Sequence, residues 1–329
     1  MQFAKLKVGL TLLIIILFSA GIQSALVEQS DLRIGISTGE LERLIGQPSR
    51  VDPTPFEYEW WIYNQDYDNY FQVGVRDEQV VRIYSNSANW GYKEAQIGQR
   101  VSEVKNALDL SGSIEFEYQN ATITLEPQGS ASDWIYMSID REEAVDTVVQ
   151  VMVDLHNDNR ITAVLLSDIE ANLATGNYAY HISWVGDRPE FGPLELSTRE
   201  QREVDQALEF QFLDLINSIR VRKGLHTLSW HQEVAEVALE HSKDMYYNNF
   251  FAHDSPYTGS VGDRVEDANI SFQRVLENIS YGRNDAIKTH ESLMNSLGHR
   301  RNILSEDITD LGAGAYQNHK YTQKFLLVR

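Results

Sequence analysis

The sequence predicts an α+β protein in which a duplicated helix-plus-antiparallel-sheet module precedes a C-terminal domain that starts with two amphipathic helices. Three observations carry this prediction. The chain has 329 residues, which exceeds the usual size of one domain. A helical segment followed by strand-like runs occurs twice before residue 171, and apolar residues recur at helical spacing after residue 205. With 42% hydrophobic residues, each part can bury a core, which excludes a disordered acidic chain.

The composition excludes several classes of function. The chain has no cysteine, so disulfide scaffolds, thiol catalysis and thiolate metal sites are excluded. Its net charge of −20 lies mostly in residues 26–200, where 12 basic residues stand against 30 acidic ones, a net charge of −18. A surface of this sign repels phosphate backbones, so no nucleic-acid partner is expected. The simplest interpretation is a solvated face, and the functional one is a face that binds a protein or cell-envelope component.

The first 25 residues have the pattern of a secretory signal. Lys5 and Lys7 precede Val8–Ile22, a run of fifteen residues without charge. This run is short for a helix that crosses a bilayer, which needs roughly 20 apolar residues. We therefore expect residues 1–25 to be a cleaved signal peptide, or otherwise an uncleaved anchor and the protein's only contact with the membrane. Either way the remainder lies outside the cytoplasm, secreted or anchored facing outward.

Residues 33–171 contain one structural unit twice. Ile34-Gly35 and Ile97-Gly98 each precede a segment with apolar residues at spacings of three and four, which predicts a short helix. Runs rich in aromatic and β-branched residues follow each helix and predict antiparallel strands. The strand-like runs lie at 58–63, 70–75 and 80–84 in the first unit, and at 114–118, 121–125, 134–139, 148–155 and 161–166 in the second. The segments 76–79 and 154–160 are predicted hairpin turns.

The duplicated module shows no catalytic set. His156 lies in a polar turn and is interpreted as a solvated turn residue. The dense aromatic residues between Trp60 and Phe71 have two interpretations: alternate rings form the core of a sheet, or they form a contact surface for protein or glycan. The sequence leaves both open.

Residues 172–205 are predicted to be a linker, because glycines, prolines and polar residues are frequent there. The C-terminal domain is predicted over 206–329. Apolar residues from Leu208 to Ile219 fall on one face of a helix that ends before Gly224. A second helix is predicted from Ser229, a candidate N-cap, and turns His241 inward as a hydrogen-bonded core histidine.

Four motifs of the C-terminal domain resemble those of the bacterial branch of the CAP superfamily, which includes cysteine-rich secretory, antigen 5 and pathogenesis-related proteins. The motifs are FLDLINSIRVRKGLHTLSW at 212–230, FFAHDSP at 250–256, ENI at 277–279 and MNSLGHRRNIL at 294–304. The module at 33–171 resembles the acidic CAP-associated domain found in front of such domains. It is also similar to the units of β-lactamase-inhibitor-like proteins, which implies binding and not catalysis. The whole arrangement resembles secreted CAP proteins of spore-forming Gram-positive bacteria.

This resemblance implies an α-β-α sandwich at 206–329 with a cleft that holds histidines and acids. By motif, His253 is the first histidine of the cleft and Glu277 its first glutamate. The chain departs from the pattern at the two remaining positions, where Ser296 replaces the second glutamate and Lys320 the second histidine. His299 of the Gly-His-Arg motif is the candidate to take a cleft position instead.

The expected ligand-binding residues follow from these motifs. They are His253, Ser255, Glu277, Asn278, His299 and Arg300. His253, Glu277 and His299 form a His₂Glu set, which zinc or another divalent metal accepts with one position open to water. The same trio can instead be hydrogen-bonded, with Glu277 fixing a histidine tautomer. Ser255 is interpreted as the cap of the turn at Pro256.

Known catalytic patterns are absent from the sequence. His290-Glu291 begins like a zincin motif, but Met294 stands where the second histidine would be, and neither a nucleophile elbow nor a phosphate-binding loop occurs. We therefore expect an exported, non-catalytic protein that binds a small ligand, metal or partner. The alternative is a metal-assisted hydrolase of peptide or cell-wall material, with Glu277 as base and His253 beside it.

Overall fold

The computed structural model describes residues 31–175, 178–282 and 285–328. The predicted signal at 1–25 lies outside the described residues. Within them, no helix is both long and apolar enough to span a bilayer.

The N-terminal part consists of two units of similar construction. Its helices are α1 (Thr38–Ile45), α2 (Val101–Val104) and α3 (Ile169–Ala174), with 3₁₀ turns at Tyr67–Asn69 and Gly129–Asp133. Its strands are β1 (Arg50–Asp52), β2 (Glu59–Tyr63), β3 (Phe71–Arg76), β4 (Gln79–Ser85), β5 (Gly91–Tyr92), β6 (Ala95–Gln96), β7 (Ile114–Tyr118), β8 (Ala121–Pro127), β9 (Ile135–Asp140), β10 (Thr147–Asp154), β11 (Arg160–Asp168) and β12 (Tyr178–Trp184). All eight strand-like runs of the sequence form strands, with bounds shifted by at most a few residues.

The two predicted glycine positions have equivalent roles. Gly35 and Gly98 both adopt positive φ, at 87° and 90°. The Gly35 amide donates to Val80 O in β4 (2.7 Å), and the Gly98 amide donates to Ile161 O in β11 (2.8 Å). Each glycine therefore fixes the start of one unit against its own hairpin, as expected for an internal repeat.

The two units share one sheet. Strands of both units form a seven-stranded antiparallel sheet in the order β1-β2-β3-β4-β11-β10-β9, while β12, β8 and β7 form a smaller sheet. Trp60 is 3% exposed, so this ring belongs to the sheet's core, whereas Trp61 stays partly exposed. The core interpretation thus holds for Trp60, Tyr63 and Tyr70, which are all buried, and not for Trp61.

The segment expected to be a linker is largely structured in its described residues. Its first part ends α3 and forms β12, which pairs with β8 along seven residues. Thr175 and residues 185–197 lie outside helices and strands, and the next helix starts at Thr198. Ser197 caps that helix, with Ser197 and Glu200 forming a reciprocal capping box. Strand β12 belongs to the N-terminal part because it pairs with β8 of that part.

The C-terminal part is a sheet between helical layers. Its helices are α4 (Thr198–Arg222), α5 (Gln232–Tyr247), α6 (Val261–Asp267), α7 (Ala286–Met294) and α8 (Leu297–Ile303). Its strands are β13 (Ser229–Trp230), β14 (Phe272–Tyr281), β15 (Asp310–Tyr316) and β16 (Lys320–Val328), in the order β13-β15-β16-β14. Ser229 is in β13, and the N-cap of α5 is His231, so the predicted cap was wrong by two residues because a short parallel strand precedes the helix.

The two parts are packed against each other through buried polar contacts. Asp214 of α4 accepts hydrogen bonds from Arg50 (2.9 Å), Asn64 (2.7 Å) and Tyr67 (3.0 Å). The Arg222 guanidinium donates to the carbonyl oxygens of Asn86 and Thr162, both at 2.7 Å. One apolar cluster contains side chains of both parts, including Phe212 and Tyr321. The chain is therefore one packed body and not two modules on a tether.

Candidate functional site

Glu277 is the centre of the candidate site. It lies in β14 directly opposite Lys324 of β16, so both side chains emerge on the same face of the sheet. Helix α5 covers this face, and the Glu277 side chain is only 1% exposed. A buried carboxylate needs partners, because an unpaired charge in a protein interior costs several kcal/mol.

Both oxygens of Glu277 are occupied. Oε2 accepts from Arg264 Nη2 (2.9 Å) and from the Lys324 ammonium, and Oε1 accepts from His253 Nδ1 (3.0 Å). His241 Nε2 lies 3.8 Å from Oε1. An arginine, a lysine and two imidazoles therefore surround a single carboxylate.

The pKa of Glu277 reflects this environment. Burial alone would raise its pKa, but the hydrogen bond from His253 and the charge of Lys324 outweigh burial and lower the pKa to about 2. Burial also lowers the pKa of Lys324 to about 8, against the attraction of Glu277. At neutral pH the site therefore holds an ionised carboxylate and a mostly protonated lysine, and Glu277 is poorly suited to act as a general base.

His253 is the exposed member of the site. Its side chain is 50% exposed, and its carbonyl accepts from Arg264 Nη2 (2.9 Å). Because Nδ1 is held by Glu277, Nε2 is the ring atom available to a ligand. The predicted contact between His253 and Glu277 is thus present.

His241 lies beneath the site as the sequence indicated. Its ring is buried and Nε2 is 3.1 Å from Ala252 O. Burial lowers the pKa of His241 to about 4. The charge of Glu277 opposes this shift and the charge of Arg264 adds to it, and the ring is neutral at pH 7. His241 was not among the predicted ligand residues, although its inward position on α5 was the available signal.

Ser255 supports the loop that carries His253. Its hydroxyl donates to Asp244 and accepts from the amides of Tyr257 (3.0 Å) and Thr258 (3.1 Å). It is 7% exposed and faces the turn. This geometry matches the turn-cap interpretation and leaves the hydroxyl unavailable to a ligand.

His299, Asn278 and Arg300 belong to the neighbouring face, where α8 packs on β14. His299 Nδ1 lies 2.9 Å from Ser296 Oγ, and its carbonyl accepts from Asn278 Nδ2 (3.3 Å). Asn278 is fully buried, so it holds α8 and offers no group to a ligand. Burial and the charge of His253 lower the pKa of His299, so the two rings share one electrostatic environment without a hydrogen bond between them.

Arg300 points away from the cleft. It donates twice to Asp154 of β10, from Nη1 at 3.1 Å and from Nη2 at 2.8 Å. The arginine of the Gly-His-Arg motif therefore joins the two parts of the chain, and its assignment as a ligand residue is corrected. Asp154 ends a strand of the other part, so sequence proximity to His299 gave no signal for this contact.

The residues present do not fit the zinc ion that the His₂Glu set suggested. A zinc-bound carboxylate needs a free oxygen about 2 Å from the metal, whereas both oxygens of Glu277 face fixed donors. Among the described residues, no three of the types His, Cys, Asp and Glu come together as a metal-ligating group. His299 is turned to Ser296, so the trio does not converge on one point.

A cluster of aromatic side chains lies beside the site and was not predicted. The Lys320 ammonium lies 4.9 Å from the Tyr281 ring centroid and 5.2 Å from that of Phe251. Tyr246, Tyr247 and Tyr316 continue this surface through further ring contacts. Its members are separated by up to 74 positions in sequence, so only the paired strands and α5 bring them together.

A second concavity lies in the N-terminal part. It has a volume of about 600 Å³ and lies between β2 and the β3–β4 turn, with Trp61 and Phe56 among its lining residues. Four acidic residues also line it: Glu57, Glu59, Asp77 and Glu78. In this groove the acidic residues lie beside the partly exposed ring of Trp61.

Comparison with known proteins gives consistent results along the chain. A family model for the CAP-associated N-terminal domain matches residues 34–178, and one for the cysteine-rich secretory protein family, CAP, matches residues 213–328. The chain is 32% identical to the uncharacterized membrane protein YlbC of Bacillus subtilis over 301 residues, covering 89% of this chain and 82% of that protein. It is 34% identical to the uncharacterized protein YkwD of the same organism over 121 residues, covering 36% of this chain and 47% of YkwD.

Two solved structures are similar over most of the chain. An extracellular protein from Bacillus anthracis that contains an SCP domain superposes with a TM-score of 0.80 at 32% identity, covering 89% of this chain and 93% of that one. A cysteine-rich secretory protein from Staphylococcus aureus gives a TM-score of 0.71 at 20% identity, with the same coverage. The second similarity concerns the fold alone.

Proposed function

Because this chain belongs to the cysteine-rich secretory protein (CAP) family and carries the CAP-associated N-terminal domain, we propose that it is an exported, non-catalytic protein that binds a ligand through the cleft at His253 and Glu277. One observation carries the proposal: Glu277, the carboxylate at the centre of this cleft, is paired with Arg264 and Lys324. A general base or a metal-bound water would need that carboxylate free. The similar protein from Bacillus anthracis is an extracellular protein, which supports export of this chain.

The binding group of the cleft is His253. Half of its side chain is exposed, while the carboxylate behind it fixes the ring orientation. A preorganised imidazole at the mouth of a buried polar network is suited to recognise a ligand without reacting with it. The partner of the acidic N-terminal part, a protein or an envelope component, stays a prediction.

The test separates binding from turnover. Purified full-length protein is incubated with cell-wall peptidoglycan and with peptides, with and without zinc, and soluble products are followed together with the protein retained on the insoluble wall. We expect retention and no products. His253→Ala should reduce retention at least about threefold, whereas His181→Ala, an exposed histidine of β12, should leave it unchanged.

Turnover that is present in the wild type and lost in Glu277→Gln would establish the hydrolase instead. Glu306→Gln, which removes an exposed carboxylate outside the cleft, is the matched control for that assay. Retention unaffected by His253→Ala would contradict binding through the cleft.

A further inference from the structure

The floor of the cleft extends along one face of two strands. Glu277 pairs with Lys324 and Tyr281 pairs with Lys320. Since alternate residues of a strand share a face, all four side chains emerge on the same side of the sheet. The two pairs are four residues apart, which corresponds to about 13 Å along the strands. The face therefore carries two lysines and one carboxylate.

The inner end of this face has more positive than negative charge. Arg264 and Lys324 both contact the single carboxylate of Glu277, which leaves one cationic charge in excess. Arg264 Nε is buried there without a hydrogen-bond partner in the described residues. The positive charges of Arg264 and Lys324 also contribute to the lowered pKa of His241. The excess cationic charge and the unused Arg264 Nε donor both favour an acceptor ligand.

The outer end has an unpaired cation on an aromatic surface. Lys320 forms no ion pair with any carboxylate in the described part of the chain, and its ammonium lies over Phe251 and Tyr281. Burial lowers the pKa of Lys320 from the ordinary lysine value. His319 is its neighbour and has its own pKa lowered by burial and by the charge of Lys320.

The aromatic surface around Lys320 is unusually open to solvent. Tyr247 is 69% exposed, Tyr281 56% and Phe251 43%. The rings contact one another edge to face, for example Phe251 and Tyr281 at 4.8 Å, so the surface is ordered before any ligand arrives. Exposed tyrosine and phenylalanine side chains supply apolar contact area at a low cost in conformational entropy.

We propose that this face binds an anionic ligand, a carboxylate or phosphate attached to an apolar or ring-shaped group, and that it does not bind a divalent cation. The anion faces the Lys320 ammonium, the apolar group lies on the rings of Phe251 and Tyr281, and the excess positive charge around Glu277 adds to the attraction from the inner end of the face. This inference rests on the proposed binding function of the cleft and specifies the chemistry of its ligand.

Two acidic residues neighbour the site. The Asp244 carboxylate accepts from the hydroxyls of Ser255 and Thr258, which hold it at the turn that follows His253. Asp254 is exposed in the loop beside His253, where water and salt screen its charge.

The test compares probes that share a ring and differ in charge. Phenyl phosphate, benzoate and benzylamine are titrated into the full-length protein, and the imidazole resonances of His253, His299 and His319 are followed by NMR. We expect shifts with phenyl phosphate, benzoate or both, and none with benzylamine. The first two probes distinguish a phosphate ligand from a carboxylate one.

Substitutions then test the sign of the field. Lys320→Gln should weaken anion binding about threefold to tenfold, since one charge at close range is removed, and Lys243→Gln, a lysine on the outside of α5 paired with Glu240, should not. Glu277→Gln should strengthen anion binding if the variant folds, because it removes the negative charge of the site. If it does not fold, the comparison of Lys320→Gln with wild type still tests the inference. Stronger binding of benzylamine or zinc than of the anions would overturn the inference.

Failure here is distinguishable from failure of the proposed function. If no anion binds but the protein is still retained on the cell wall in a way that depends on His253, the inferred ligand chemistry is wrong and the binding function stands. If products appear in the peptidoglycan assay, the non-catalytic function is wrong whatever the probes show.

Discussion

The chemistry of single residues in the cleft depends on how Glu277 is neutralised. The Glu277 carboxylate is 1% exposed and accepts from Arg264, Lys324 and His253, and His253 is its exposed partner. Ser296 and Lys320 replace an acid and a histidine of the family pattern. The local charge is therefore more positive than in a set of two histidines and two glutamates, which agrees with the proposed anionic ligand.

The lowered pKa of Glu277 predicts a pH dependence of stability. Its folded pKa of about 2 lies below its ordinary value of 4.5, so its contribution is complete above pH 4.5 and is lost as the pH falls towards 2. Glu277→Gln should cost about 3 kcal/mol of unfolding free energy at pH 7, and the difference from wild type should shrink by about 1 kcal/mol at pH 3.5. Urea denaturation at both pH values measures this. A constant difference would show that the ion pairs do not set the pKa.

Secondary-structure elements meet most closely where α5 lies on β15. A Cβ atom added at Gly312 would lie 2.3 Å from Ala235 N, and one at Gly314 would lie 2.0 Å from Leu239 N. The helix therefore approaches the strand so closely that only glycine fits. This contact also positions His241 over Glu277, because His241 lies two residues after Leu239 on the same helix.

Gly314→Ala should displace α5 and destabilise the protein by about 3 kcal/mol or more, since backbone atoms cannot move aside as a flexible side chain can. Thermal unfolding followed by circular dichroism measures the change. The matched control is Gly298→Ala in α8, where an added Cβ meets nothing within 4 Å and the higher helix propensity of alanine should stabilise by up to about 1 kcal/mol. Equal effects of the two substitutions would contradict the packing argument.

At the scale of the whole molecule, the contacts between the two parts decide its behaviour. The pair formed by Arg300 and Asp154, the insertion of Arg222 between Asn86 and Thr162, and the hydrogen bond from Tyr84 to Glu291 all cross this boundary. Glu291 is fully buried there, and burial raises its pKa to about 7, with Arg222 acting against the shift. The N-terminal part therefore stabilises the CAP domain through these contacts and also presents a separate surface to solvent.

Arg300→Ala should destabilise the protein by about 3 kcal/mol, because it leaves the nearly buried Asp154 carboxylate without its cation. Arg301→Ala should change stability by less than about 0.5 kcal/mol, since Arg301 is exposed and contacts only its own helix. Denaturant unfolding measures both. We also expect one cooperative transition for the two parts, and separate transitions in amide hydrogen exchange would argue against a single packed body.

The sequence by itself determined the α+β class, the internal repeat, nearly all strands of the N-terminal part and the family motifs of the C-terminal part. These features are local: alternation of apolar residues, glycine positions such as Gly35 and Gly98, and short motifs. The contact between His253 and Glu277 followed from those motifs. The start of α5 was missed because the pairing of β13 with a strand about 80 residues later competes with a local capping signal.

Only the tertiary structure decided the partners of buried charges and the composition of surfaces. Lys324 reaches Glu277 through the antiparallel pairing of two strands, and Arg264 reaches it from a helix, 13 positions away in sequence. Arg300 reaches Asp154 across 146 positions. The rings around Lys320 come from four separate segments. Residue type and periodicity show that a side chain faces inward. They do not show which opposite charge it meets there, because that depends on the packing of elements distant in sequence.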